Sequence, residues 1–421
     1  MLFVVTPSNA QDIGDASGRS LDAATQGVGL EPVLQPIVAL SDGAVVGYEA
    51  LARWPTLDNP SPVDVFCHAS AAGRVDGLNQ LCIHAAIRAA RQLHVPRGTL
   101  LAINTEPASS YAGCSGDDAL ARGRDELALM FEITERGLLD HPRKLLTNVA
   151  AMRRDGVAVA LDDLGAHPDS LALLDIIAPD VIKLDVRLVQ SQPDRHQART
   201  LAAILAHHER TGATILAEGI ETDEHLEQAL AVGASLGQGR KYSYPRPEQS
   251  VGAWTPPTPS VPSQLRSASP FDLLVGVPLR TARKKTLTAF SRHIEEQASH
   301  SADPPMVLTA LQHRQYFTPA TRRRYLQLAR SSPLIAVFGQ HLPPDLGADV
   351  RGVHLDSADP LRTEWTVLAL GAQIAVALIA REHVDHNDQP QPDNDRHFDF
   401  TITYDRRLVT AVAHNLLARM E

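Results

Sequence analysis

Five carboxylates, two amides and one ammonium end seven short apolar runs of this chain: Glu49, Asn104, Glu132, the neighbours Asp162 and Asp163, Lys183, Glu218 and Gln238. A polar group buried at the tip of an apolar strand is costly unless it meets a partner. Its recurrence at run after run therefore points to convergence on one site. If Glu49, Glu132, Asp162, Asp163 and Glu218, with Glu221 beside them, face one mouth, each pair about 4 Å apart repels by roughly 4 kcal/mol at an effective dielectric near 20. The sum rivals the ~5–15 kcal/mol that stabilises a whole domain, so protons or divalent cations must relieve it. Carboxylates with an Asn oxygen and no Cys or His cluster are hard ligands, which favours Mg²⁺ or Mn²⁺. Two such ions about 3.5–4 Å apart suit in-line attack on a phosphodiester. Asp162 would bridge the ions and Asp163 ligate one, both reaching the mouth if the strand ends there, since side chains otherwise alternate between faces. Lys183 would position water or neutralise phosphate, and Glu218 would accept the proton.

The elements that must position these groups alternate along the chain. A hairpin is expected over residues 32–40 and 44–51, with Ser41, Asp42 and Gly43 supplying the turn. Helical stretches at 80–93, 142–155, 197–211 and 222–232 then separate strand-like runs at 100–104, 127–133, 157–161, 181–184, 214–217 and 235–237. Strands joined by helices form parallel sheets, and eight strands over so short a span predict a TIM-like (β/α)₈ barrel with one antiparallel strand. In such barrels the C-terminal strand ends supply the active site.

At 421 residues the chain exceeds one ordinary domain. The texture turns to Pro, Ser and Thr near Pro245, and the expected division is a lead-in at 1–29, a barrel domain at 30–247, a linker at 248–269 and a smaller α/β or α+β domain at 270–421. In this last domain helices are expected at 285–297 and 319–330, and strands at 306–311, 334–338, 350–355, 365–370 and 398–404. The apolar stretch 365–380 contains Gly371 and Gln373 and is too short to span a bilayer; it reads as a core strand, a turn and a buried helix.

A net charge of −10 disfavours steering of polyanions, so no nucleic-acid partner is expected. Neither a secretory signal nor a membrane anchor is read, and a cytoplasmic location is expected. Cys67, Cys82 and Cys114 lack C-x-x-C spacing and read as reduced, buried thiols. The run Arg322, Arg323, Arg324 reads as a solvated helix face. His167 reads as a surface residue, and His383, Asp385, His386 and Asp388 as a solvated loop.

The segment Gln35-Pro36-Ile37-Val38, followed by Tyr48-Glu49-Ala50-Leu51-Ala52-Arg53, resembles the opening motif of EAL domains, the cyclic di-GMP phosphodiesterases. Asn104, Glu132-Ile133-Thr134-Glu135, Asp162-Asp163-Leu164-Gly165, Lys183-Leu184-Asp185, Glu218-Gly219-Ile220-Glu221 and Gln238-Gly239 continue it. The resemblance implies hydrolysis of cyclic di-GMP to linear pGpG with Mg²⁺ or Mn²⁺, and a homodimer. It assigns metal binding to Glu49, Asn104, Glu132, Asp162 and Asp163, and service of the attacking water to Lys183 and Glu218. Substrate binding falls to Gln35, Leu51, Arg53, Glu221, Gln238 and Gly239, and support of the loop after the aspartates to Glu135. That loop departs from the family's F-G-T-G-Y-S-S-L: here residues 164–171 lose a glycine and gain Pro168. The departure leaves open an alternative, a catalytically weak receptor that binds the nucleotide and signals to a partner.

The second domain resembles the DICT sensory domain, a module found beside diguanylate cyclases and in two-component proteins. Tyr316-Phe317-Thr318, Tyr325, Leu328-Ala329, Leu361, Trp365 and the run 396–409, with Arg396-His397-Phe398-Asp399-Phe400, carry the likeness. It implies signal input from an unnamed small molecule or protein.

Overall fold

A computed structural model describes residues 18–107, 109–111, 118–134, 138–165, 168–242, 254–255, 268–383, 393 and 396–420. Eight strands close into a barrel: β1 (Val33–Ala39), β2 (Val45–Leu51), β3 (Leu100–Thr105), β4 (Ala128–Thr134), β5 (Ala158–Leu164), β6 (Val181–Leu184), β7 (Thr214–Ala217) and β8 (Leu236–Gly237). β1 runs antiparallel to both β2 and β8, and the other neighbours are parallel. Around them lie α1 (18–25), α2 (Pro62–Ala71), α3 (Val75–Gln92), α4 (Asp118–Glu126), α5 (Pro142–Arg154), α6 (Leu174–Ile177), α7 (Val186–Gln190), α8 (Arg195–Thr211) and α9 (Asp223–Ala231).

Strand alternation sorts the core into two shells. Leu101, Ile103, Phe131, Ile133, Val159, Leu161 and Ile182 face outward and pack under the helices. Ile37, Leu100, Ala102, Met130, Ala158, Ala160, Val181 and Leu216 fill the interior, and Trp254 packs against this inner cluster. The expected linker is thus held at Trp254, and again at Ser269, which is fully buried and hydrogen-bonded to Asp272 at 3.0 Å.

The second unit is a seven-stranded sheet in the order β12-β11-β10-β13-β14-β15-β9. Its strands are β9 (Arg280–Arg283), β10 (Met306–His313), β11 (Ile335–Gln340), β12 (Val350–His354), β13 (Glu364–Leu370), β14 (Ala375–Glu382) and β15 (His397–Thr403). Helices α10 (Lys284–Ser299) and α11 (Pro319–Leu328) pack on one face, and α12 (Arg406–Leu417) on the other. Residues 375–382 correct the sequence reading: the expected buried helix is a strand paired antiparallel with both β13 and β15. The six apolar residues 375–380 carry no periodicity that separates the two forms, and here burial on both sheet faces favours the strand. Cys67 is also exposed, against expectation, whereas Cys82 is buried. Arg324 departs from the solvated-face reading, because its Nε donates to the buried Glu295 carboxylate at 2.7 Å. His383 pairs with Asp399 at 2.9 Å; Cys114, His167, Asp385, His386 and Asp388 lie outside the described residues. Among the described residues no helix is long and apolar enough to cross a membrane.

The α12 face of the sheet docks on the barrel segment that follows β5. Ala172 and Ile176 belong to one apolar cluster with Leu308, Leu370, Val409 and Leu416. Arg406 pairs with Asp175, His414 Nε2 lies 2.9 Å from the Ile176 carbonyl, and Arg351 donates to the Asp140 carbonyl at 3.1 Å. Burial holds His414 below the ordinary histidine range, so it stays neutral and donates Nε2–H. The folded state thus resists protonation, and docking is fully stable above about pH 6.5 and weakens as pH falls below it. Small-angle scattering is expected to show an expanded particle for Ile176→Asp at neutral pH, and for the unaltered chain as the pH is lowered toward about 5.

Candidate active site

The strand register explains why the polar tips meet. Each lies two residues beyond an inward apolar residue: Asn104 after Ala102, Glu132 after Met130, Asp162 after Ala160, Lys183 after Val181 and Glu218 after Leu216. Glu49 sits across from Ala102, Asn104 across from Glu132, and Gln35 across from Glu49. The same parity that packs the barrel's floor therefore raises these groups at its mouth.

Asp163 breaks the parity and still reaches the site. Its φ of 56° is left-handed, a conformation that Asp tolerates better than most residues, and the β5–β6 register shifts between Leu161 and Leu164. One carboxylate oxygen from each of Asp162, Asp163 and Glu218 consequently lies within 4.8 Å of the others.

At the centre stands Lys183, 1% exposed. Its Nζ lies 2.8 Å from Glu132, 2.9 Å from Asp162, 2.9 Å from Glu218 and 3.5 Å from Glu49. Burial opposes the charge on Lys183, but Glu132 and Glu218, then Glu49 and Asp162, outweigh it and hold the ammonium protonated far above the usual lysine range. One cation cannot neutralise four carboxylates. Burial first, and then the charge of Glu49, keep Glu132 well above the carboxylate range. Burial lifts Glu218 to about 7, against the pull of Lys183. Glu49 goes the other way: burial is outweighed by Lys183 and by the amides of Gln238 and Asn104, which donate to it at 3.0 and 2.8 Å.

The donor set fits divalent cations. Among the described residues, Glu132 Oε1, Asp162 Oδ1 and Gln238 Oε1 are buried without a hydrogen bond. Asp162 Oδ1 has the Lys183 ammonium beside it, but out of hydrogen-bond alignment. Orphan oxygens next to a surplus of negative charge are what a hard cation satisfies. Millimolar Mg²⁺ or Mn²⁺ is expected to raise the melting temperature of the barrel by about 5–10 °C, the effect of ligand at ~100 times its dissociation constant on a unit of this size. In Asp163→Asn, calorimetry should show most of that rise gone.

Leu51, Arg53, Asn104, Thr134, Asp163 and Phe66 line a cavity of about 570 Å³ that opens beside this cluster. Phe66, on α2, carried no signal in the sequence, and Thr134 none beyond its place in the motif at 132–135. Three residues expected to bind substrate also have contacts within the chain. Gln238 directs its Nε2 to Glu49. Gly239 has φ of 150°, and a Cβ there would lie 2.1 Å from the Ile220 carbonyl oxygen, so it serves close backbone approach. Glu221, expected to face inward, is exposed at the rim, 3.5 Å from Arg240. Glu135 lies outside the described residues.

Comparison with known proteins follows the two units. A family model described as EAL domain matches residues 19–245, and one described as "Sensory domain in DIguanylate Cyclases and Two-component system" matches residues 263–383. The chain is 31% identical over 232 residues to the cyclic di-GMP phosphodiesterase RocR of Pseudomonas aeruginosa, covering 52% of this chain and 58% of RocR. It is 30% identical over 227 residues to NbdA of the same organism, also named a cyclic di-GMP phosphodiesterase, covering 52% of this chain and 29% of NbdA. The chain thus spans less than two thirds of these relatives. Among solved structures, a calcium and cyclic di-GMP complex of Klebsiella pneumoniae BlrP1 aligns with a TM-score of 0.44 at 28% identity, over 57% of this chain and 67% of BlrP1.

Proposed function

This chain belongs to the EAL-domain family, and from that premise we propose that it hydrolyses cyclic di-GMP to linear pGpG, dependent on Mg²⁺ or Mn²⁺ and under control of its C-terminal sensory domain. The observation that carries this reading is the complete polar cluster: Lys183 amid Glu49, Glu132, Asp162 and Glu218, with Asp163 turned in beside them. Glu49, Asn104, Glu132, Asp162 and Asp163 would hold the ions, which when bound polarise a phosphodiester and make water a nucleophile near neutral pH. Asn104 spends its Nδ2 on Glu49, leaving Oδ1 as the atom for an ion.

The chain's own groups supply the rest. Lys183, fixed by three carboxylates within 2.9 Å, presents a positive charge where phosphate charge develops. Glu218, raised to about 7, is basic enough to take a proton from water and weak enough to release it near neutrality. Leu51 and Arg53, which line the adjoining cavity, would hold a guanine base and its phosphate. The full chain with Mg²⁺ or Mn²⁺ should convert cyclic di-GMP to pGpG; absence of product with either ion overturns the proposal.

Control by the second domain is supported by where it docks. Its apolar contacts with the barrel include Ala172 and Ile176, on the segment that leads away from Asp162 and Asp163, as well as Leu139 and Leu146. Because Ala172 and Ile176 are covered by the chain's own sheet domain, a homodimer must pair through another face. Sedimentation at micromolar concentration tests it. The divergent residues 164–171 favour a second reading, a receptor that binds cyclic di-GMP and turns it over slowly. Tight calorimetric binding with a single turnover slower than minutes would select it.

A further inference from the structure

The sheet domain holds a cavity of about 710 Å³ between α10 and α11, on the face opposite the docked barrel. That volume is within the range of sites for compact organic ligands. Its base is aromatic: Trp365 and Phe398 meet edge to face at 5.9 Å, and Tyr316 stands beside them. Its walls carry four cations in a chain of net charge −10.

Three of those cations already have carboxylates. Lys284 bonds Asp393 at 2.6 Å and lies 4.1 Å above the Tyr316 ring. Arg396 donates to Glu382 at 2.6 Å and to the Tyr316 hydroxyl at 2.7 Å. Arg324 gives only Nε, to Glu295, and among the described residues its two terminal nitrogens have no partner. Glu295 is itself fully engaged, accepting from Tyr325 at 3.1 Å as well. The fourth cation, Arg292, has no acceptor among the described residues and stands exposed on the cavity wall.

We propose that this cavity binds a small aromatic carboxylate, its ring against Trp365 and Phe398 and its carboxylate between the guanidinium groups of Arg292 and Arg324. A guanidinium with free terminal N–H groups matches a carboxylate in two parallel hydrogen bonds. Aromatic walls flanked by cations suit a flat apolar body. A single unmatched positive charge selects a monoanion over a phosphate dianion, which would leave negative charge in a half-buried site.

Titration calorimetry on the full chain tests this with benzoate, cinnamate and indole-3-carboxylate, each against its neutral amide, at constant ionic strength. At least one acid is expected to bind at least tenfold more tightly than its amide, and Arg292→Gln to weaken that binding at least tenfold. Because Arg292 is exposed and has no partner among the described residues, the variant is expected to keep the melting temperature of the parent. Equal binding of acid and amide, acid binding unchanged in Arg292→Gln, tighter binding of inorganic phosphate, or no heat from any of the three acids overturns the proposal. The readout is binding itself, so it stands or falls separately from turnover at the barrel.

Discussion

Glu218→Gln is expected to lower the turnover of cyclic di-GMP by about 10²–10⁴-fold, the range that a positioned general base contributes. The substitution keeps the side chain's size and its place 2.9 Å from Lys183, while removing the group that accepts the proton. It also removes one negative charge from a crowded site, so nucleotide binding should persist or tighten. Steady-state rates beside calorimetric binding separate the two effects. A variant that hydrolyses at the parental rate would assign the proton to another group.

Lys183→Met is expected to destabilise the metal-free protein by about 3–5 kcal/mol, the cost of stranding buried charges whose partner has been removed. Lys183 is the cation that Glu132, Asp162, Glu218 and Glu49 share. Without it, burial and mutual repulsion force the carboxylates to take up protons. The loss should therefore be greatest at high pH, where those protons are scarce, and shrink as the pH falls. Divalent cations should restore much of the loss, because they replace the missing charge at the same oxygens. Denaturant titrations with and without Mg²⁺ measure both parts. Equal stability of parent and variant without metal would mean that the four carboxylates do not depend on this ammonium.

How far the chain could be read in advance depended on how local the signal was. The barrel's eight strands were legible as short apolar runs set between helical stretches, and seven of those runs end on a charged or polar residue. Asp163 was legible only as a requirement: alternation sends it outward, and a left-handed backbone at that one position turns it in. Glu221 shares the Glu218 segment, and proximity in sequence suggested the mouth, but the chain turns after Gly219 and leaves Glu221 at the rim beside Arg240. Beyond the barrel, β9, β14 and α12 escaped. Arg280–Arg283 has no apolar alternation and becomes a strand by pairing with β15. Arg406–Leu417 keeps a helical apolar face whose partners, Ala172 and Ile176, lie more than 200 residues away. No local pattern announces a contact made at that separation.

The seven-stranded sheet has one further consequence. Along β10 and β13 successive residues belong to different neighbourhoods: Leu308, Ala310, Leu368 and Leu370 pack in the cluster that includes the barrel's Ala172 and Ile176, while Val307, Val367 and Ala369 pack beneath α10 and α11. A molecule seated between those helices therefore presses on the same strands that the barrel leans against, from the other side. Any change it made in strand position or side-chain packing would have only the thickness of one sheet to cross to the segment leaving Asp163. If the sheet serves as a diaphragm between two chambers, cutting residues 248–267 should leave the two still in communication.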